Sequence, residues 1–147
     1  MILISHRGNI DGIDIARENS QSYIQEAIDL GYDVEIDVHY INNKFWLGHD
    51  YPDYEVELKW LLERKNNLWI HCKNFGALSE LIRTELRIFY HLKEDYTIIS
   101  DGHIWAHNLD HIDDQCIIPL IDENDILEWA PTPVHGICSD YIGLLND

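Results

Sequence analysis

The chain has 147 residues, with 27 acidic against 10 basic side chains and a formal charge of −17. Its 46% hydrophobic and 25% charged residues belong to a globular fold and not to a disordered one, and the length suits a single domain spanning residues 1–147. A surface this acidic repels phosphate backbones and anionic bilayers, which sets nucleic acid and stable membrane association aside and leaves a small molecule as the expected partner.

Three cysteines, Cys72, Cys116 and Cys138, are odd in number and set in apolar runs, the pattern of buried free thiols in a reducing compartment. The start Met1-Ile-Leu-Ile-Ser-His lacks a basic n-region and a long apolar run. The expectation is therefore a cytoplasmic chain without a signal peptide or membrane span.

The first apolar cluster, Ile2-Leu3-Ile4, reads as a short buried strand ending at Ser5-His6-Arg7-Gly8. Asn19-Ser20 offers an N-cap, followed by helical spacing at Tyr23, Ile24, Ala27, Ile28 and Leu30 up to a terminating Gly31. Asp33 to Tyr40 alternates apolar and polar residues, Asn42-Asn43 signals a turn, and Phe45-Trp46-Leu47 leads into Gly48-His49-Asp50. The pattern predicts a hairpin or short rim crossover between Val38 and Leu47.

Further on, a short helix is expected over Leu58–Lys65, an alternating strand over Leu68–Lys73, and a helix over Leu78–Leu86. Strand signals follow at Ile88–His91, Tyr96–Ser100 and Ile104–Ala106, the last two flanking an Asp101-Gly102 turn. Cys116–Ile121, a weak helix over Asn124–Trp129, and a strand from His135 to Asp140 close the chain. Strands alternating with helices predict an α/β fold on parallel strands. A full barrel of eight such units needs more than about 200 residues, so any barrel here is abridged, with trimmed outer helices and six to eight strands.

Chemistry-bearing residues gather at predicted strand ends. Glu35 and Asp37 lie two apart on one strand, so both face one side while Val34, Ile36 and Val38 face the other. Two adjacent carboxylates repel unless a cation lies between them, although an exposed edge strand with a solvated acidic face has the same pattern. His71 and Lys73 share a face by the same spacing, and His6 and His49 each close an apolar run. In parallel α/β folds the carboxyl ends of the strands share one rim, where active sites lie.

The ordered segments Ser5-His-Arg-Gly8, Glu18-Asn-Ser20, Glu35-Ile-Asp-Val38 and Leu47-Gly-His-Asp50 resemble the signature of the glycerophosphodiester phosphodiesterase family. Gly136-Ile-Cys-Ser-Asp-Tyr141 is similar to that family's last-strand segment, while the middle of the chain matches only loosely, with Trp105 and Asn108 as its faint points of contact.

The resemblance implies an abridged TIM-type barrel that hydrolyses a phosphodiester, a glycerophosphodiester by family, using one divalent metal. It implies His6 and His49 as the catalytic acid/base pair and Arg7, Lys73 and Asn19 as substrate contacts. Glu35 and Asp37 would be the metal ligands. His71 stands where the family has a third carboxylate ligand; imidazole binds Mn²⁺ or Zn²⁺ well and Mg²⁺ or Ca²⁺ poorly, so the swap leaves the ion open among Mg²⁺, Mn²⁺, Ca²⁺ and Zn²⁺. The same replacement, with the short length, motivates an alternative: an inactive barrel that binds a phosphorylated ligand. The remaining histidines, His39, His91, His103, His107, His111 and His135, read as structural or exposed, with His91 the one placed nearest a rim.

Overall fold

A computed structural model describes residues 1–146 and shows an α/β fold built on one mixed sheet of ten strands. In chain order the elements are β1 (Ile2–His6), α1 (Gln21–Asp29), β2 (Asp33–Ile41), β3 (Lys44–Leu47), β4 (Tyr54–Val56), α2 (Leu58–Glu63), β5 (Leu68–Cys72) and α3 (Phe75–Leu81). Then come β6 (Arg87–Phe89), β7 (Tyr96–Ile98), β8 (Ile104–Ala106), β9 (Cys116–Pro119), α4 (Glu123–Leu127), β10 (Gly136–Ser139) and a 3₁₀ turn over Ile142–Leu145.

Seven strands run parallel in the order β6-β5-β2-β1-β10-β9-β8. β7 lies antiparallel on β8, and β3 with β4 forms an antiparallel flap on the far half of β2. β2 carries three neighbours because it is long: β1 pairs with Asp33–Glu35 and β3 with Val38–Ile41 on one edge, while β5 runs along the other. The β2–β3 hairpin turns at Asn42 and Asn43, both with positive φ (52° and 60°), the conformation of the tight two-residue turn that the Asn-Asn pair predicts.

The sheet is not closed by strand pairing. The expected barrel needs β6 to join the far end of the sheet. Instead, β6 meets the chain after β7 through Ser100, whose amide donates to the Ile88 carbonyl (2.9 Å) and whose hydroxyl accepts from the Ile88 amide. The cause lies in the connection: β6 leads into an antiparallel strand, so no helix and parallel strand follow to complete the ring.

The helices are short, and none among the described residues is long and apolar enough to cross a membrane. α1 begins where predicted, with Ser20 accepting from the Tyr23 amide, and stops at Gly31, which has a φ of 94°. The helix expected over Leu78–Leu86 is α3, shifted toward the N-terminus: Asn74 caps it by accepting from the Ala77 amide at 2.9 Å, and it ends by Ile82, which is exposed.

Packing follows the strand alternation. Val34, Ile36 and Val38 pack outward with Leu68, Ile70 and Cys72 against the buried faces of α1, α2 and α3. A second outer cluster joins α4 and the final turn to β8, β9 and β10 through Ile118, Ile126, Ile137 and Ile142. The inner face holds a third cluster, Ile4, Trp69, Phe89, Ile99, Trp105, Ile117 and Cys138, drawn from both ends of the strand order. All three cysteines are buried free thiols. Each buried aliphatic side chain of this kind contributes about 1.5–3 kcal/mol relative to exposure, which binds the sheet to its helices and fixes which face Glu35 and Asp37 present.

Candidate active site

The carboxyl ends of the parallel strands enclose a cleft of about 310 Å³ lined by His6, Arg7, Glu35, His49, His71, Phe89, His91, Trp105, His107, Pro119 and Ile121. A larger groove of about 490 Å³ lies elsewhere, along α3, β6 and β7, but its lining is mainly apolar and holds no pair of facing histidines and carboxylates.

Local backbone geometry delivers the key side chains. β1 ends at His6, and the chain then turns through left-handed conformations at Arg7 (φ 59°) and Gly8 (φ 99°). A Cβ at Gly8 would lie 2.6 Å from the Tyr23 ring. Gly48 has a φ of 150°, and a Cβ there would fall 1.9 Å from the Tyr51 carbonyl oxygen, so only glycine permits the bend that presents His49. Asn19 is also left-handed (φ 61°) and buried; its amide donates to Asp37 Oδ2 at 3.0 Å and its oxygen accepts from the Asp37 amide at 3.0 Å. Expected as a substrate contact, Asn19 instead lies beneath the cleft and holds Asp37 in place.

Asp37 is the electrostatic centre. Arg7 Nε approaches Oδ2 at 3.1 Å and His49 Nδ1 approaches it at 3.5 Å, while His71 Nδ1 and Lys73 Nζ lie 3.2 and 4.0 Å from Oδ1. Burial by itself would raise the pKa of this carboxyl, but His49, His71 and Arg7 outweigh it and hold Asp37 well below the usual carboxylate range. Glu35 shifts the other way: burial first, then the neighbouring Asp37 charge, push its carboxyl well above the usual range. Glu35 Oε2 and Asp37 Oδ1 are both buried without a hydrogen-bond partner among the described residues. One donor atom from each of Glu35, Asp37 and His71 lies within 4.8 Å of the others, a spacing that a single cation can bridge.

The two histidines differ in what their partners impose. Asp140 Oδ1 lies 2.8 Å from His6 Nδ1, and a carboxylate oxygen accepts, so Nδ1 carries the proton and the Nε2 lone pair is left toward Glu35, 3.7 Å away. At His49, Arg7 Nη2 lies 2.7 Å from Nδ1, and a guanidinium only donates. His49 Nδ1 therefore accepts, and its proton sits on Nε2.

His6, Arg7, Glu35, Asp37, His49, His71 and Lys73 thus converge at one end of the sheet. Sequence reasoning missed three further contributors, Asp140, Asn9 and His107, while His91 is the rim residue it named. Asp140 orients His6 and is itself held by Asn9, whose amide donates to it at 2.8 Å and to Glu18 at 2.9 Å. His91 and His107 stack at 3.9 Å between ring centroids and line the far wall; burial, with His91 and His71 nearby, holds His107 down at about 4. Asp140 has a signal in its strand-end position after Ser139, whereas Asn9 and His107 have none. His39 is structural, with Nε2 at 2.8 Å from the Gly48 carbonyl oxygen, and Asn108 bonds Asp95 away from the cleft.

Comparison of the chain with protein-family models, with curated proteins and with solved structures gives no match.

Proposed function

We propose that the protein is a metal-dependent phosphodiesterase acting on a small diester, of the glycerophosphodiester type that its motifs resemble, on an abridged barrel with one gap beside β7. The observation that carries this reading is the pair of histidines in one cleft with opposite Nδ1 partners: Asp140 Oδ1 at His6, which leaves Nε2 bare in the neutral ring, and Arg7 Nη2 at His49, which puts the ring proton on Nε2. A general base and a general acid are what cleavage of a phosphodiester requires. Simple ligand binding requires neither.

In this mechanism Arg7 and Lys73 hold the non-bridging oxygens of the phosphate. Glu35, Asp37 and His71 would hold a divalent ion, which would supply positive charge to the phosphate when bound. His6 Nε2 takes the proton of the attacking hydroxyl, and Asp140 steadies the imidazolium that forms. His49 Nε2–H gives its proton to the departing alcohol, after which Arg7 remains on Nδ1 to keep the ring in place.

One observation favours the second reading, a binding module without turnover. Arg7 and Lys73 already offset Glu35 and Asp37, so the site balances its charge with no ion. Hydrolysis of bis(p-nitrophenyl) phosphate with added Mn²⁺ or Mg²⁺, measured against His6→Ala, decides between the two. Metal-dependent release of p-nitrophenolate that vanishes in the variant supports the hydrolase. Absence of turnover, with retained phosphate-ester binding, supports the module.

A further inference from the structure

We infer that the Glu35–Asp37–His71 donor set selects a first-row transition dication over Mg²⁺ and Ca²⁺, with His71 binding through Nδ1. The inference rests on the metal-dependent reading above and extends it to a ligating atom and a class of ion.

His71 Nε2 lies 3.1 Å from the backbone carbonyl oxygen of His91. A carbonyl accepts only, so Nε2 carries a hydrogen, and in the neutral ring the lone pair is on Nδ1. That bare nitrogen faces Asp37 Oδ1 at 3.2 Å. Among the described residues Asp37 Oδ1 and Glu35 Oε2 have no hydrogen-bond partner, and their residues are only 0% and 3% exposed. Three electron-rich atoms therefore converge in a buried space, an arrangement that a cation among them would stabilise.

The ring cannot readily turn Nδ1 away. It stacks on Phe89 at 5.1 Å and 7°, and Phe89 stacks in turn on Trp105 at 4.7 Å. The carbonyl that sets its tautomer is anchored as well, because the His91 ring packs on His107 and lies 3.1 Å from the Thr97 hydroxyl. A backbone carbonyl behind a ligating imidazole is the usual device for fixing its orientation and raising its basicity.

The donor chemistry sets the ion class. Ca²⁺ and Mg²⁺ take oxygen ligands, and Mg²⁺ gives up its waters reluctantly. One imidazole nitrogen beside two carboxylates suits Zn²⁺, Co²⁺ or Mn²⁺. The rival is a proton in the same place: His71 as an imidazolium donating from Nδ1 to Asp37, with no ion.

The test is calorimetric titration of metal-stripped full-length protein, His71→Gln and His71→Glu with Zn²⁺ and with Mg²⁺, together with imidazole ¹⁵N spectra of His71. Zinc outbinds magnesium at most mixed sites, so the deciding quantity is how the ratio responds to position 71. Wild type should bind one equivalent of Zn²⁺, His71→Gln should weaken it by about 10- to 100-fold or more, and His71→Glu should narrow the preference over Mg²⁺ by at least about tenfold. The Nδ1 resonance should move on adding Zn²⁺ while the Nε2 proton persists. Unchanged zinc affinity in His71→Gln, a ratio indifferent to His71→Glu, or a doubly protonated ring insensitive to Zn²⁺ would overturn the inference. Tight zinc binding that depends on His71, without turnover of any diester, would keep it and remove the hydrolase reading. Turnover supported by Mg²⁺ with affinity independent of His71 would do the reverse.

Discussion

Glu35 and Asp37 sit two residues apart on β2, yet neutralising each should have opposite effects on the stability of the metal-free protein. Asp37 is fully buried and is met by Arg7 at 3.1 Å, His71 at 3.2 Å, His49 at 3.5 Å and Lys73 at 4.0 Å. Asp37→Asn leaves the Arg7 guanidinium and the Lys73 ammonium facing an uncharged amide, and breaking a buried pair costs about 3–5 kcal/mol. At roughly 3 °C per kcal/mol for a domain of this size, the melting temperature should fall by about 10–15 °C. Among the described residues Glu35 has no hydrogen bond at Oε2 and has His6 Nε2 no nearer than 3.7 Å. Because its pKa is raised on folding, Glu35 contributes stability below its unfolded pKa and loses it as pH rises through the folded value. Glu35→Gln removes that burden, so at pH 8 its melting temperature should equal or exceed wild type, and the gap should shrink at pH 5, as the native carboxyl takes up its proton. Asp37 works the other way: its depressed pKa stabilises the fold above the unfolded carboxylate range, and that contribution fades only as pH falls through the folded value. Thermal melts by circular dichroism in chelator would measure all three proteins. Equal destabilisation by Asp37→Asn and Glu35→Gln at pH 8 would refute the reasoning.

The acid and base roles separate by leaving group: His6→Ala should slow all diesters by about 10²–10⁴ in kcat, whereas His49→Ala should do so only for alkyl leaving groups and spare p-nitrophenolate, which departs unprotonated. Equal losses on both substrates in His49→Ala would remove its assignment as the acid. Gly48→Ala, with its Cβ 1.9 Å from the Tyr51 carbonyl oxygen at a φ of 150°, should cost at least about 1–3 kcal/mol in a denaturant melt and reduce activity with it; a variant as stable as wild type would contradict the geometry. Burial pushes the Cys72 thiol up to about 12, so it stays protonated at pH 8 and native protein should resist iodoacetamide there until denaturant is added. Rapid labelling of Cys72, read by mass spectrometry, would show that β5 opens.

Much of the site was legible because strand alternation is local. Residue order alone places Glu35 and Asp37 on the face opposite Val34, Ile36 and Val38, and Asn42-Asn43 announces its turn without tertiary help. The start of α3 was misjudged because apolar spacing alone set its limits: the Asn74 cap lies before the periodic leucines, and Ile82 belongs to the pattern but faces solvent. Asp140 reaches His6 across 134 residues and His107 reaches His91 only by stacking, and no local pattern encodes either contact. Closure of the sheet failed as an expectation for a similar reason, since the sense of one strand, β7, decides it.

The charge of −17 raises a difficulty for any anionic substrate, and the cleft answers it by location. Exposed charges act across a Debye length of about 8–10 Å at moderate salt, so most of the acidic surface is screened from a ligand seated among the strand ends. What that ligand meets is set by groups within a few ångströms, and there the acidic residues are neutralised in different ways. Asp37 is ringed by Arg7, His71, His49 and Lys73, while Glu35 is pushed toward its protonated form by burial and by Asp37. The crowding leaves Glu35 Oε2 and Asp37 Oδ1 without hydrogen bonds among the described residues, and the ion of the proposed function would relieve it. An ion held there, as the proposed function has it, would free Arg7, which lines the cleft, and Lys73 beside it from offsetting the carboxylates. An acidic protein can then present an electropositive floor at the one place where its strands end together.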